Sequence, residues 1–383
     1  MRNTLMAGAL GLLLVLGAGA AFGQNEDTSL SSGESQNTQG FGYGNLFGGG
    51  KTALGGYASL RFTSFDDEDS NFALKRFVIA VRSEISDSLT MESEIEFEPE
   101  DGKVETEIEY IHLDYRFSPG FTFRGGIILI PFGNYNIYHS DPEQYLVEDP
   151  LPNRLIVPRV WRDAGAGFFG DFYSGDAKWS YAVYALNGLQ SDTKAGSENI
   201  TETGGVRKAR TSGVKDDNNG NKALMAHLAY SPSLGFEIGA SGYTGDYDEA
   251  GDNAITILGA NVYYTRGPLE LLGEWDTASL VAATPEIPED LAGYYVEGRY
   301  HFGRPHKEGN PRPYSVILRV EQLSISDTAS DKNSTDSEED RTTFGINFRP
   351  NVNTAFKLEY QNNEGDLVHK DSNGWLFSVA YGW

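Results

Sequence analysis

The chain of 383 residues has no cysteine. A disulfide framework and a lipid-anchored cysteine are therefore both excluded. Beyond residue 23 it also lacks any apolar run of the roughly 20 residues that a membrane helix needs. If such a chain crosses a bilayer, it has to cross with strands closed into a barrel. Positive charge is scarce: 30 lysines and arginines face 55 aspartates and glutamates, a net charge of −25. That balance argues against nucleic acid as a partner. Hydrophobic residues make up only 39%, yet aromatics reach 12% and glycines number 45.

Met1 to Gly23 has the pattern of a cleaved secretory signal: Arg2, an apolar run from Leu5 to Leu16, then small residues around Ala21 and Gly23. Residues 24–52 are polar, then glycine-rich, and are expected to be a flexible segment. Its last residues, Gly48 to Thr52, read GGGKT but lack the rest of a phosphate-binding loop, because Asn45 stands where the first glycine is needed. Residues 53–383 are expected to form one domain.

From Leu54 onward about sixteen segments of roughly ten residues alternate between apolar and polar side chains, the length a tilted membrane strand needs. The expected strands are 54–63, 72–83, 88–98, 104–117, 121–130, 164–173, 177–187, 222–231, 236–245, 254–265, 269–276, 292–302, 313–325, 341–349, 353–360 and 374–383. The last is the sharpest. Trp375, Phe377, Val379, Tyr381 and Trp383 share one face, while Leu376, Ser378, Ala380 and Gly382 share the other. It ends on an aromatic residue and resembles the terminal strand of bacterial outer-membrane barrels. Connections alternate between long polar stretches and tight turns, with a short 99–103 and a longer Gly303 to Arg312 as partial exceptions. Long surface loops and short periplasmic turns produce that order in a barrel; a soluble sandwich has no reason to keep it.

Charges fall on the face opposite the aromatics, so in a closed barrel they line the lumen. The expected wall residues are Arg61, Arg76, Arg82, Glu92, Glu94, Glu96, Asp114, Arg116, Arg124, Glu297, Arg299, Arg319, Lys357 and Glu359. The glutamates at 92, 94, 96 and 98 alternate on one strand and repel one another unless Arg76, Arg82, Arg116 and Arg124 on neighbouring strands pair with them. A cross-strand network of this kind is a commoner arrangement than a dedicated cation ladder. Sixteen strands enclose enough width for an aqueous channel.

The third long loop, 131–163, is stiffened by five prolines and carries Tyr135, Tyr138, Tyr145, Leu151, Leu155, Ile156 and Trp161. Such a loop needs a surface to pack on, and is expected to fold into the barrel and narrow it. Its charges, Arg154, Arg159 and Arg162 against Asp141, Glu143, Glu148, Asp149 and Asp163, are mixed and are the candidate constriction.

GGIILIPFG at 125–133, the stretch from Asn134 to His139, and PRVWRDAGAGFFGDF at 158–172 are similar to the phosphate-selective porin O and P family. Looser similarity runs from Gly55 to Trp383. The resemblance implies a sixteen-stranded, trimeric barrel in the outer membrane of a Gram-negative bacterium. It also implies a third loop that forms the constriction and passive diffusion, in the best-known members of phosphate or pyrophosphate. The mixed charge of this chain instead suggests weak selectivity, leaning toward cations, in a pore for ions and small hydrophilic solutes. The remaining alternatives are a phosphate-selective anion pore, a non-conducting surface barrel whose acidic loops bind partners, and a barrel enzyme. Lipid and lipopolysaccharide are the expected surroundings. The six histidines (112, 139, 227, 301, 306, 369) show no metal spacing, and no catalytic or cofactor site stands out. The acidic runs Asp66 to Asp69 and Ser337 to Asp340 lack calcium-loop spacing and read as solvated loops.

Overall fold

The structure, a computed structural model, describes residues 51–383 except 101–102, 193–198, 202, 212–213, 215, 285–286, 306–311 and 327–336. The expected signal, most of segment 24–52 and His306 lie outside these residues. Sixteen strands follow in order: β1 Lys51–Phe65, β2 Asn71–Ser86, β3 Leu89–Glu100, β4 Lys103–Ser118, β5 Phe121–Leu129, β6 Arg162–Ser174, β7 Ala177–Leu186 and β8 Ala223–Ser233. The second half is β9 Phe236–Asp246, β10 Ala254–Arg266, β11 Leu269–Leu280, β12 Asp290–Phe302, β13 Tyr314–Ser326, β14 Ser337–Asn351, β15 Thr354–Gly365 and β16 Gly374–Gly382. A single helical turn, α1 Pro152–Leu155, and a 3-10 turn at Arg207–Thr211 lie in the two longest connections.

Every strand pairs antiparallel with its sequence neighbours, and β1 pairs with β16 from Tyr57↔Gly382 to Phe65↔Gly374, which closes the barrel. Closure gives each backbone group a partner and leaves no open edge. All sixteen expected strands form, with differences at their ends. β1 starts at Lys51, so the end of the 24–52 segment is strand. β14 starts at Ser337, so Ser337 to Asp340 is wall and not loop. The expected third loop is trimmed to 130–161, because Arg162 and Asp163 pair with Leu129 and Ile128 of β5.

The outer face is apolar, as alternation requires. Ile111, Leu113, Tyr115 and Phe117 are exposed on β4, as are Phe344, Ile346 and Leu358 on β14 and β15. Rings gather at both rims. Phe302, Tyr314, Phe348 and Phe356 follow one another at 5.6, 5.2 and 5.9 Å near the tight-turn end. Phe62–Phe72 and Tyr360–Trp375 sit at the loop end. An apolar band between aromatic rims is the surface that suits acyl chains.

Away from the tight turns, two bulges among the described residues break the strict alternation on the inner face. Ser59 pairs with Arg76 and Leu60 with Leu74, so Lys75 is the extra residue and both adjacent cations turn inward, buried. Glu94 pairs with Tyr110 and Ile95 with Ile108, which makes Glu109 the extra residue. Alternation alone would put Glu109 outside with Ile111; it is fully buried instead. The interior is not uniformly polar either. On β6 to β13 the wall residues toward the loop end, including Tyr184, Tyr243, Ile257 and Leu291, pack with Leu151, Ile156 and Trp161 of the third loop. Leu189, Ile200, Val206 and Ala209 of the fourth loop, 187–222, complete this cluster.

Candidate functional site

The third loop is clasped at its base. Asn136 Nδ2 donates to the carbonyls of Ile130 (2.8 Å) and Trp161 (3.0 Å), and Trp161 N–H donates to Asn136 Oδ1 (2.8 Å). One buried side chain thus joins the first and last residues of the segment. Gly133 has φ 61°, and a Cβ there would lie 2.4 Å from the Glu274 carboxylate. Only glycine combines that backbone with so close an approach.

Once away from water, the loop backbone must find donors and acceptors on the wall. It finds charged ones. Arg319 donates to Glu148 O (2.9 Å), Arg341 to Asp149 O (2.8 Å), Lys357 to Leu146 O (3.1 Å), and Arg349 to Glu143 O (3.0 Å) and Gln144 O (2.9 Å). Loop N–H groups meet carboxylates: Val147 on Glu359 (2.5 Å), Leu151 on Glu321 (2.6 Å) and Asn134 on Glu274 (3.0 Å). Charge-assisted bonds of this kind contribute about 1.5–3 kcal/mol each. The mixture of signs on the inner face follows, because carbonyls need cations and N–H groups need carboxylates.

The expected constriction residues divide. Glu148 lies between two arginines, Arg61 (2.9 Å) and Arg154 (2.6 Å), whose side chains are 34% and 23% exposed. Arg159 pairs with Asp149 at 3.0 Å. Asp141 is buried against Lys75 (2.7 Å) and Arg76 (3.4 Å) and accepts from Ser59. Glu143 is half-buried beside Tyr138 and Pro142. Arg162 and Asp163, expected in the loop, belong to β6: Arg162 bonds Glu107 of β4 (2.6 Å) and Asp163 accepts from Gly188 N (2.7 Å).

Of the expected wall residues, Arg76, Arg319, Lys357, Glu297 and Glu359 face inward but are buried, several of them under the loop. Arg82 pairs with Glu92 (2.5 Å), Arg76 with Glu96 (3.0 Å), and Arg124 is bidentate on Asp114 (2.8 and 2.7 Å). Arg299 bridges Glu297 and Glu270. Glu94 has no arginine within ion-pair distance among the described residues; it accepts from Tyr110 and lies beside Glu109. Arg116 departs from expectation, exposed beside the tight turn at 119–120. Glu339, in the run taken for a solvated loop, is buried and accepts from the backbone of Leu367 and Val368. Lys75, Glu109, Arg341 and Asn136 were not legible as site residues. The first and second depend on bulges, and the others on where the loop comes to lie.

Electrostatics within the loop follow its partners. Burial pushes the Asp141 carboxyl up, but Lys75 and Arg76 outweigh it and hold the group well below the usual carboxylate range. Glu148 behaves alike: Arg154 and Arg61 overcome its burial. Glu143, without so close a cation, is raised by burial. Burial pushes Tyr138 up to about 12.

No protein-family model matches the chain. An uncharacterized protein of Aquifex aeolicus (strain VF5) is 26% identical over 363 residues, 85% of this chain and 80% of that one. Among solved structures, the outer membrane channel DcaP of Acinetobacter baumannii is similar with a TM-score of 0.59 at 11% identity, covering 90% of this chain and 99% of that chain. An anion-selective porin from Comamonas acidovorans has a TM-score of 0.59 at 11% identity, covering 88% of this chain and all of that one (100%). The chain has the fold of the outer-membrane porins, a closed antiparallel barrel of sixteen strands.

Proposed function

We propose that the protein is an outer-membrane porin of a Gram-negative bacterium, exported through a cleaved signal at 1–23 and surrounded by lipid and lipopolysaccharide. Ions and small hydrophilic solutes diffuse through it passively, and no catalytic step is assigned. The observation that carries this reading is the third loop, tied by its backbone to β2, β11, β13, β14 and β15 and by side chains to β1, which leaves Arg61 and Arg154 partly open at its edge on either side of Glu148. These residues are the proposed constriction, with Arg159 and Asp149 behind them. Because each arginine there has a carboxylate partner, selectivity is weak. Assembly as a homotrimer, and membership of the phosphate-selective porin O and P family, are parts of the same proposal and rest on the sequence resemblance.

One observation favours a second reading, an anion-preferring pore. Arg61 and Arg154 are 34% and 23% exposed, while the carboxylate between them is only 9% exposed. Purified protein in a planar bilayer should give stepwise current, and its reversal potential in a potassium chloride gradient gives the sign of selectivity. Block by added phosphate would support the anion reading. A silent barrel would overturn the pore and leave a surface barrel whose acidic loops bind partners.

A further inference from the structure

Three side chains far apart in sequence converge where the third loop meets β3 and β4. His139 from the loop, Glu94 from β3 and Glu109 from β4 each present a ligand atom, all within 4.8 Å of one another. All three are buried, at 3%, 7% and 0% exposure. The cluster exists because of the bulge that turns Glu109 inward, and because the Asn136 clasp sets the path of the loop.

The hydrogen bonding at His139 gives the first indication of a ligand. Its Nδ1 lies 2.9 Å from the carbonyl of Asn136. A carbonyl only accepts, so Nδ1 carries a proton, and in the neutral ring the lone pair is on Nε2. That lone pair faces Glu109 Oε2 at 3.3 Å. Two acceptors face each other unless a proton or a metal ion lies between them. A metal-binding histidine has this arrangement, with the far ring nitrogen donating to a backbone carbonyl and fixing the tautomer.

The carboxylates give the second. Among the described residues, Glu94 Oε1 and Glu109 Oε1 accept no hydrogen bond although both are buried. The nearest cation to Glu109 Oε1 is Arg76 Nη1 at 3.9 Å, and Arg76 is already engaged with Glu96 (3.0 Å) and Asp141 (3.4 Å). Arg76 is thus shared among three buried carboxylates, Glu96, Glu109 and Asp141, and Glu94 has no cation within ion-pair distance among the described residues. Buried carboxylates so short of partners are costly unless a proton or a cation joins them.

We propose that Glu94, Glu109 and His139 hold a divalent metal ion that clamps the third loop to the barrel wall. One imidazole with two carboxylates suits zinc and its first-row neighbours better than calcium or magnesium, which prefer oxygen donors alone. Glu94 and His139 also line a cavity with Glu92, Tyr110, His112 and Tyr138, so a further coordination position is open to water or a small solute. The site stands whether or not the barrel conducts.

The test uses the whole barrel in detergent, stripped with EDTA, exposed to zinc chloride and freed of loose metal by gel filtration. Mass-spectrometric metal analysis should find one zinc per chain, and absorption spectroscopy should find one imidazole in its coordination shell. His139→Gln should weaken zinc binding at least about tenfold, and Glu94→Gln should weaken it too. Heat-modifiable gel mobility verifies that each variant is folded; a variant that fails is replaced by His139→Ala. If wild type and folded His139 variants hold equal zinc, or neither holds any, the metal site is overturned. His139 is then a protonated imidazolium bonded to Glu109.

Discussion

Lys75 Nζ lies 2.7 Å from Asp141 Oδ1 and 3.2 Å from the main-chain oxygen of Val147, so one bulged wall residue grips the third loop at two points. Both charges are buried, and removing one strands the other. Lys75→Met should destabilise the barrel by about 3–5 kcal/mol, the usual penalty for half of a buried pair. Thermal unfolding in detergent measures this, and adding Asp141→Asn should recover part of the loss. An unchanged midpoint would mean that the loop is held elsewhere.

Asn136 is the clasp between the two ends of the loop. Asn136→Ala removes three hydrogen bonds; the Ile130 and Trp161 carbonyls keep a backbone donor each, but the Trp161 N–H is orphaned, at about 1–3 kcal/mol. The loop should then move away from its wall. Single-channel conductance should rise and become noisier, and the loop should become a protease site in folded protein. Conductance equal to wild type would separate the clasp from the pore.

The exposed arginines carry the selectivity prediction. Arg61→Ala and Arg154→Ala should each move the reversal potential toward cations, and Glu148→Gln should move it toward anions. Arg162→Ala should do less, since Arg162 is buried on the wall against Glu107. The opposite ranking would place the constriction on β6.

Acid should leave Glu148 charged. Its carboxyl is pushed up by burial but held below the ordinary range by Arg154, Arg61, Arg341 and Lys75. A depressed carboxylate stabilises the fold above its unfolded value of ~4.3, and that contribution fades only as pH falls through the lower folded value. Between pH 7 and ~4 the reversal potential should therefore show no step from Glu148. Glu143, raised by burial, titrates earlier, so the comparison belongs in a Glu143→Gln background. A step at ordinary glutamate pH in that background would mean that the two arginines do not flank Glu148 in solution.

The outer face has its own test. Leu358 is exposed in mid-strand between Phe356 and Tyr360. Leu358→Arg should cost about 2–4 kcal/mol of folding free energy in lipid vesicles if that face meets acyl chains. No penalty would put this face in water.

Alternation by itself determined a great deal here. A period of two separates the aromatic from the charged face, and sixteen such segments with long and short connections in turn admit a closed barrel and little else. That information is local, so it is legible residue by residue. The constriction is not local. Lys75 and Glu109 face inward because extra residues shift the register, and a bulge leaves no mark in the pattern of a single strand. Arg319 and Lys357 read as pore-lining cations, yet only the folded loop reveals that they, and Arg341 with them, bind its carbonyls. His139 meets Glu109 and Glu94 for the same reason. Long-range contacts are made where the backbone must replace lost water, and the three-dimensional path of the loop alone decides which side chains answer that need.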